Sequence, residues 1–100
     1  NFIAFNEATE EYHDELYGFI DFQGWREEYK QGKLCRPYKQ IGRNREIINT
    51  ERILTEYIRH QIHHPENTNN NKYTEEELLD SINMMREFIS RKQTEENVNP

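Results

Sequence analysis

Residues 43–63 read Arg43-Asn44-Arg45-Glu46-Ile47-Ile48-Asn49-Thr50-Glu51-Arg52-Ile53-Leu54-Thr55-Glu56-Tyr57-Ile58-Arg59-His60-Gln61-Ile62-His63. The fold class turns on whether this stretch is one helix. Ile47, Leu54, Ile58 and Ile62 lie on or near one stripe at helical spacing, with Ile48 and Tyr57 flanking it. The pattern predicts a long amphipathic helix over 43–63. Pro65 stops it, because the residue before a proline is pushed out of helical geometry.

Working outward, Asn6 is placed to cap a first helix over 7–21, whose apolar positions Ala8, Tyr12, Leu16, Phe19 and Ile20 follow helical spacing. Gly24 and Gly32 punctuate the next segment, with a short helix expected over 25–30. Residues 31–42, holding Gly32, Pro37 and Gly42, read as a loop. Beyond Pro65, the asparagine-rich segment 66–73 is a second loop. Thr74-Glu75-Glu76-Glu77 is a capping box that opens the last helix, and three acids in its first turn suit the helix dipole. Leu78, Ile82, Met85 and Ile89 form its stripe, widened by Leu79, Met84 and Phe88; the methionines read as packing residues. No strand pattern and no internal repeat emerges. The fold class predicted is all-α, a small antiparallel helical bundle of three long helices plus a short one. It forms one domain over 1–92 with a frayed tail over 93–100.

A hydrophobic content of 33% beside 32% charge is polar for a globular domain, but 12% aromatic residues argue against disorder. A core of Tyr, Phe, Ile and Leu is thin, and thin cores lean on a partner chain or a neighbouring domain. The opening at Asn1, with no initiator methionine, fits a piece of something larger. Net charge is −6, yet residues 29–45 hold no acid and six bases: Lys30, Lys33, Arg36, Lys39, Arg43 and Arg45, with Tyr38 among them. That stretch is either a solvated basic loop or a local phosphate-binding footprint on an acidic protein. The lone Cys35 cannot form an internal disulfide and no CxxC pair exists, so a cytoplasmic protein is expected. No apolar run reaches membrane-spanning length, and no signal-peptide pattern is present.

The richest chemistry lies in Arg59-His60-Gln61-Ile62-His63-His64-Pro65, which holds three of the chain's four histidines. His13, the fourth, is expected at the surface. Histidine exchanges protons near neutral pH, and arginine supplies a fixed cation for a phosphate. On a helix His60 and His64 share a face, as do Arg59 and His63; Arg59 and His64 converge only if the helix unwinds before Pro65. Three readings compete. The first is a polar helix end in which cationic histidines suit the dipole. The second is a metal site, for which no CxxC, HExxH or placed carboxylate supplies the third ligand zinc needs. The third is metal-free acid–base cleavage of RNA, with imidazoles moving protons and the guanidinium neutralising the phosphate.

Arg59-His60-x-x-x-His64 at a helix end, after Ile53, Leu54, Tyr57 and Ile58 and before a polar loop and the Leu78–Ile89 helix, resembles the signature of the HEPN superfamily over roughly residues 47–92. Ile62-His63-His64-Pro65-Glu66-Asn67 is also similar to C-terminal segments attached to ABC-type ATPases of bacterial anti-phage defence systems. The resemblance implies a helical domain that dimerises around two motif copies. It also implies a metal-independent endoribonuclease, needing no cofactor, of a toxin or defence effector acting on RNA such as tRNA. Arg59 would orient the scissile phosphate, His64 would be the acid or base, and His60 would fill the polar position. His63 has no role in the family pattern, but would substitute for His64 if the helix continues. Asn67, Lys39, Arg43 and Arg45 would contact substrate, and one of Glu10, Glu11, Asp14 and Glu15 would add a polar group from an earlier helix. The alternative is a non-catalytic helical interaction module, the C-terminal part of an ATPase docking on a partner protein.

Overall fold

The computed structural model describes residues 8–98, and in it the chain is not all-α. The order is α1 (Glu10–Phe22), α2 (Arg26–Lys30), β1 (Cys35–Ile41), β2 (Ile47–Ile53), α3 (Leu54–His63) and α4 (Glu75–Val98). The expected loop 31–42 and the first half of the expected helix 43–63 are an antiparallel hairpin, with Cys35 opposite Ile53 and Ile41 opposite Ile47. The bundle of three long helices is therefore corrected to a mixed fold: two long helices, two shorter ones and a two-stranded sheet. The physical reason lies in Ile47, Ile48, Thr50 and Ile53, β-branched residues that lose side-chain freedom in a helix and suit a pleated strand. Ile47, counted into the helical stripe, stands 45% exposed, so the stripe does not extend back to it.

The hairpin turn explains where the two strands part. Arg45 N–H donates to the Gly42 carbonyl and Gly42 N–H donates to the Glu46 carbonyl, and Arg45 sits at φ 66°. This is a three-residue loop closed by a left-handed residue, a position where glycine is the relaxed choice and a branched Cα costs about 1–2 kcal/mol. Arg45→Gly is expected to stabilise the fold by about 0.5–1 kcal/mol, net of the extra freedom glycine gives the unfolded chain. Differential scanning calorimetry reads this as a rise of roughly 2–5 °C in the thermal midpoint; a fall would show that the arginine side chain itself holds the turn.

Helix ends obey local chemistry. Thr9 caps α1 by accepting from the Tyr12 N–H at 3.1 Å; Asn6, the expected cap, lies outside the described residues. The capping box at α4 forms as expected: the Thr74 hydroxyl accepts from the Glu77 N–H, and the Glu77 carboxylate accepts from the Thr74 N–H. That backbone N–H, and then Arg36, holds the Glu77 carboxyl below the usual range. α4 runs on through Val98, past the point where its apolar stripe ends.

Tyr12, Leu16, Tyr17 and Ile20 of α1 pack with Tyr29, Ile53, Ile58 and the Leu78, Ile82, Met85, Phe88 and Ile89 face of α4. Each fully buried aliphatic side chain contributes about 1.5–3 kcal/mol relative to exposure. A polar chain crosses this core. His13 Nε2 lies 2.8 Å from the Ser81 hydroxyl, Ser81 lies 2.7 Å from Thr55, and Thr55 lies 2.7 Å from the Tyr29 hydroxyl. All four side chains are fully buried, so His13 is a core residue and not the surface residue its isolation in sequence suggested. The chain ties α1, α4, α3 and α2 together, and its hydroxyls satisfy one another where water cannot reach, while His13 Nδ1 has no hydrogen-bond partner among the described residues.

Candidate functional site

α3 lies between α1 and the hairpin, and its last two turns carry the histidines. Helical geometry persists through His63, which puts Arg59 and His63 on one stripe and His60 and His64 on another. His64 is the C-cap. Its N–H still donates to the His60 carbonyl, but its backbone leaves helical angles (φ −131°, ψ 65°) ahead of Pro65.

The first stripe meets α1. The Asp14 carboxylate lies 2.9 and 3.0 Å from His63 Nε2 through its two oxygens, and 3.8 Å from Arg59 Nε, an ion pair rather than a hydrogen bond. The Arg59 guanidinium also sits 4.8 Å over the ring of Tyr17. Tyr17 is itself buried and donates its hydroxyl to Glu56, which Lys30 pairs at 3.4 Å. Burial first, then the Glu56 charge, raises the Tyr17 phenol far above its usual range, so it remains a neutral donor. Arg59, Asp14 and His63 each keep about two-fifths of their side-chain surface in solvent. A carboxylate on Nε2 places the ring proton there and leaves the Nδ1 lone pair for proton transfer.

The second stripe meets the hairpin. The His60 ring stacks on Tyr38 at 5.1 Å and 24°, and on His64 at 6.4 Å and 23°. Tyr57 meets Tyr38 edge-on at 5.8 Å. His64 Nδ1 lies 3.3 Å from Glu66 and more than half of its side chain is exposed. Burial, and then the Arg52 charge, pushes the His60 pKa down, so this ring is held neutral. Tyr38, Gln40, Ile41, His60, His64, Glu66 and Asn67 enclose a recess of about 110 Å3.

The asparagine loop is fastened to the outer edge of β1. Asn70 accepts from the Lys39 N–H and donates to the Lys39 carbonyl, at 2.8 and 2.9 Å, as a neighbouring strand would. Asn67 donates to the same carbonyl and to the Tyr38 hydroxyl. The amide of Asn67 is thus committed to the hairpin. The side chains of Lys39, Arg43 and Arg45 are exposed, and none takes part in an ion pair among the described residues.

The structure therefore brings Arg59 to His63, and His60 to His64, but gives Arg59 and His64 no common partner among the described residues. Of the four candidate acids on α1 it selects Asp14. Tyr38, Gln40, Ile41 and Glu66 join the site without having been singled out; only Tyr38, as an aromatic residue inside a basic stretch, carried a signal. Among the described residues no group of three or more His, Cys, Asp and Glu side chains is arranged to hold a metal, and no helix is long and apolar enough to cross a membrane. Comparison with protein-family models, with curated proteins and with solved structures finds no match to this chain.

Proposed function

We propose that the chain is the RNA-cleaving module of a cytoplasmic toxin or anti-phage effector, working by the metal-independent chemistry that the HEPN-like motif implies. The observation that carries this reading is the sharing of Asp14 by Arg59 and His63 on one face of α3. In the reaction His63 Nδ1 takes the proton of a ribose 2′-hydroxyl. The 2′-oxygen attacks the adjacent phosphorus, the bond to the 5′-oxygen breaks, and that oxygen leaves with a proton from a second imidazole. The products are a 2′,3′-cyclic phosphate and a 5′-hydroxyl. Arg59 neutralises the charge that builds on the phosphate, and Asp14 fixes the His63 tautomer. In a homodimer the second imidazole is the other copy's His63. His64, assigned the acid–base role from sequence, gives way to His63 because the helix continues through it.

The test is cleavage of single-stranded RNA and tRNA in EDTA. Wild type is expected to release 2′,3′-cyclic ends, and Arg59→Ala to do so about a hundredfold more slowly, the usual loss for one charge-stabilising donor. Absence of cleavage by wild type, or equal rates for both proteins, removes the reading.

A different feature favours a second reading, a helical docking module of a larger ATPase. α1 and α4 leave a largely apolar groove of about 800 Å3, lined by Tyr12, Leu16, Phe19 and Ile89 with Arg86 and Glu87 at its margin. On that reading, complex formation with the parent protein is indifferent to Arg59→Ala.

A further inference from the structure

The recess between the hairpin and the end of α3 is not used by the Arg59–Asp14–His63 chemistry, and its walls differ in character from that site. One side of it is a series of near-parallel rings, Tyr38, His60 and His64, with Tyr57 edge-on against Tyr38. Ile41 adds an apolar wall, and Gln40 and Glu66 supply polar edges. Gln40 Oε1 already accepts from Arg52, which leaves its amide N–H groups to face a ligand. The turn beyond Ile41 carries Arg43 and Arg45, both exposed, whereas Lys39 lies on the face of β1 opposite Tyr38 and Gln40.

We propose that this recess is a subsite for one unpaired nucleobase of an RNA strand. The base stacks on His64, the end ring of the series, against Ile41, with its edge met by Gln40 and Glu66, while a flanking phosphate runs over Arg43 and Arg45. The inference rests on the RNA-cleaving reading and adds to it a division of labour: His63 handles protons and His64 presents a ring face. A volume of about 110 Å3 suits a single base ring and not a whole nucleotide. A phosphate is the poorer occupant, since the wall includes the Glu66 carboxylate and the apolar Ile41, and the ring beneath is neutral. Bases stack on histidine and tyrosine faces with little regard to sequence.

The experiment uses the full chain and a 5′-fluorescein 2′-O-methyl oligonucleotide, which cannot be cleaved because its 2′-oxygen is blocked. Binding is read by anisotropy for wild type, His64→Ala, His64→Phe and His63→Ala, beside an abasic strand of the same length. Unmodified RNA is cleaved in parallel. His64→Ala is expected to weaken binding roughly tenfold, a typical loss for one stacked base. His64→Phe, which keeps a ring but no exchangeable proton, is expected to restore affinity to within about twofold. His63→Ala is expected to bind as wild type does. The abasic strand should bind wild type no better than the intact strand binds His64→Ala. Equal weakening by His64→Phe and His64→Ala, full-strength binding of the abasic strand, or no binding of the intact strand each overturns the subsite. If wild type cleaves RNA while His64→Phe fails to restore binding, the nuclease reading stands without the subsite. Ring-dependent binding without cleavage upholds the subsite and removes the nuclease.

Discussion

Acidification from pH 7 to pH 4 is expected to cost the fold on the order of 3 kcal/mol through one side chain, His13. Its imidazole is fully buried, with Nε2 on Ser81 and Nδ1 buried without a hydrogen-bond partner among the described residues. Burial lowers its pKa from 6.5 to about 4, against a smaller upward pull from Asp14 and a downward push from Arg59. The folded state therefore binds this proton less readily than the unfolded chain. The stabilisation is complete above pH 6.5 and is lost as pH falls from 6.5 to about 4, at 1.36 kcal/mol for each unit separating the two pKa values. For a domain whose whole stability is about 5–15 kcal/mol, that is a large share. Urea unfolding at a series of pH values measures it. His13→Gln, which keeps a neutral hydrogen-bonding group near Ser81, is expected to flatten the curve between pH 4 and 6.5. A wild-type curve already flat over that interval would mean that the folded protein accepts the proton at no cost. Glu77 adds a separate, lower loss, because its depressed carboxyl pKa gives stability that disappears only as pH falls through the folded value.

The second large effect is expected at His63. On the proposed mechanism His63→Ala lowers the cleavage rate by about 10²–10⁴, the range for losing a positioned proton-transfer group, with RNA binding unchanged. His64→Ala is expected to raise KM and leave kcat within a fewfold of wild type. Asp14→Asn preserves shape but can no longer hold the Nε2 proton as a carboxylate does. It is expected to lower kcat by about tenfold to a hundredfold, with Asp14→Glu recovering part of the loss. Steady-state kinetics on a short RNA separates the three variants. If His64→Ala, and not His63→Ala, removed kcat, the acid–base assignment would return to His64 and the pairing through Asp14 would be structural only.

The helices were legible where chemistry is local. The Thr74–Glu77 capping box and the Leu78, Ile82, Met85 and Ile89 stripe define α4 without any tertiary information, and all four stripe residues are buried. The hairpin was not legible, for a specific reason. A half-buried strand announces itself by alternating apolar and polar residues. The residues of β1 that face α3 are Arg36, Tyr38 and Gln40, long polar side chains that reach ring faces and carboxylates, so the alternation is invisible to a hydrophobicity pattern. The turn is equally quiet, since its left-handed position holds Arg45 and not glycine. Meanwhile Ile47, Leu54, Ile58 and Ile62 happen to repeat at 7, 4 and 4, which imitates a helix across a strand–helix junction. At the site, the sequence placed the arginine and histidines on a helix end, as found. It could not choose Asp14 among four acids, because the choice depends on how α1 lies against α3, a contact spanning 49 residues.

The fastening of Asn70 to Lys39 has a consequence for how this protein can associate. A two-stranded sheet has two free margins, and each could recruit another chain. The outer margin of β1 is already taken, with Pro37 lacking an N–H and both backbone groups of Lys39 bound by asparagine amides. Among the described residues, no further backbone bond covers the β2 margin, which bears Ile47, Asn49 and Glu51 and stands open to a new ladder. Two chains joined there would use up each other's last free margin, giving a four-stranded closed pair and halting growth before a fibre could start.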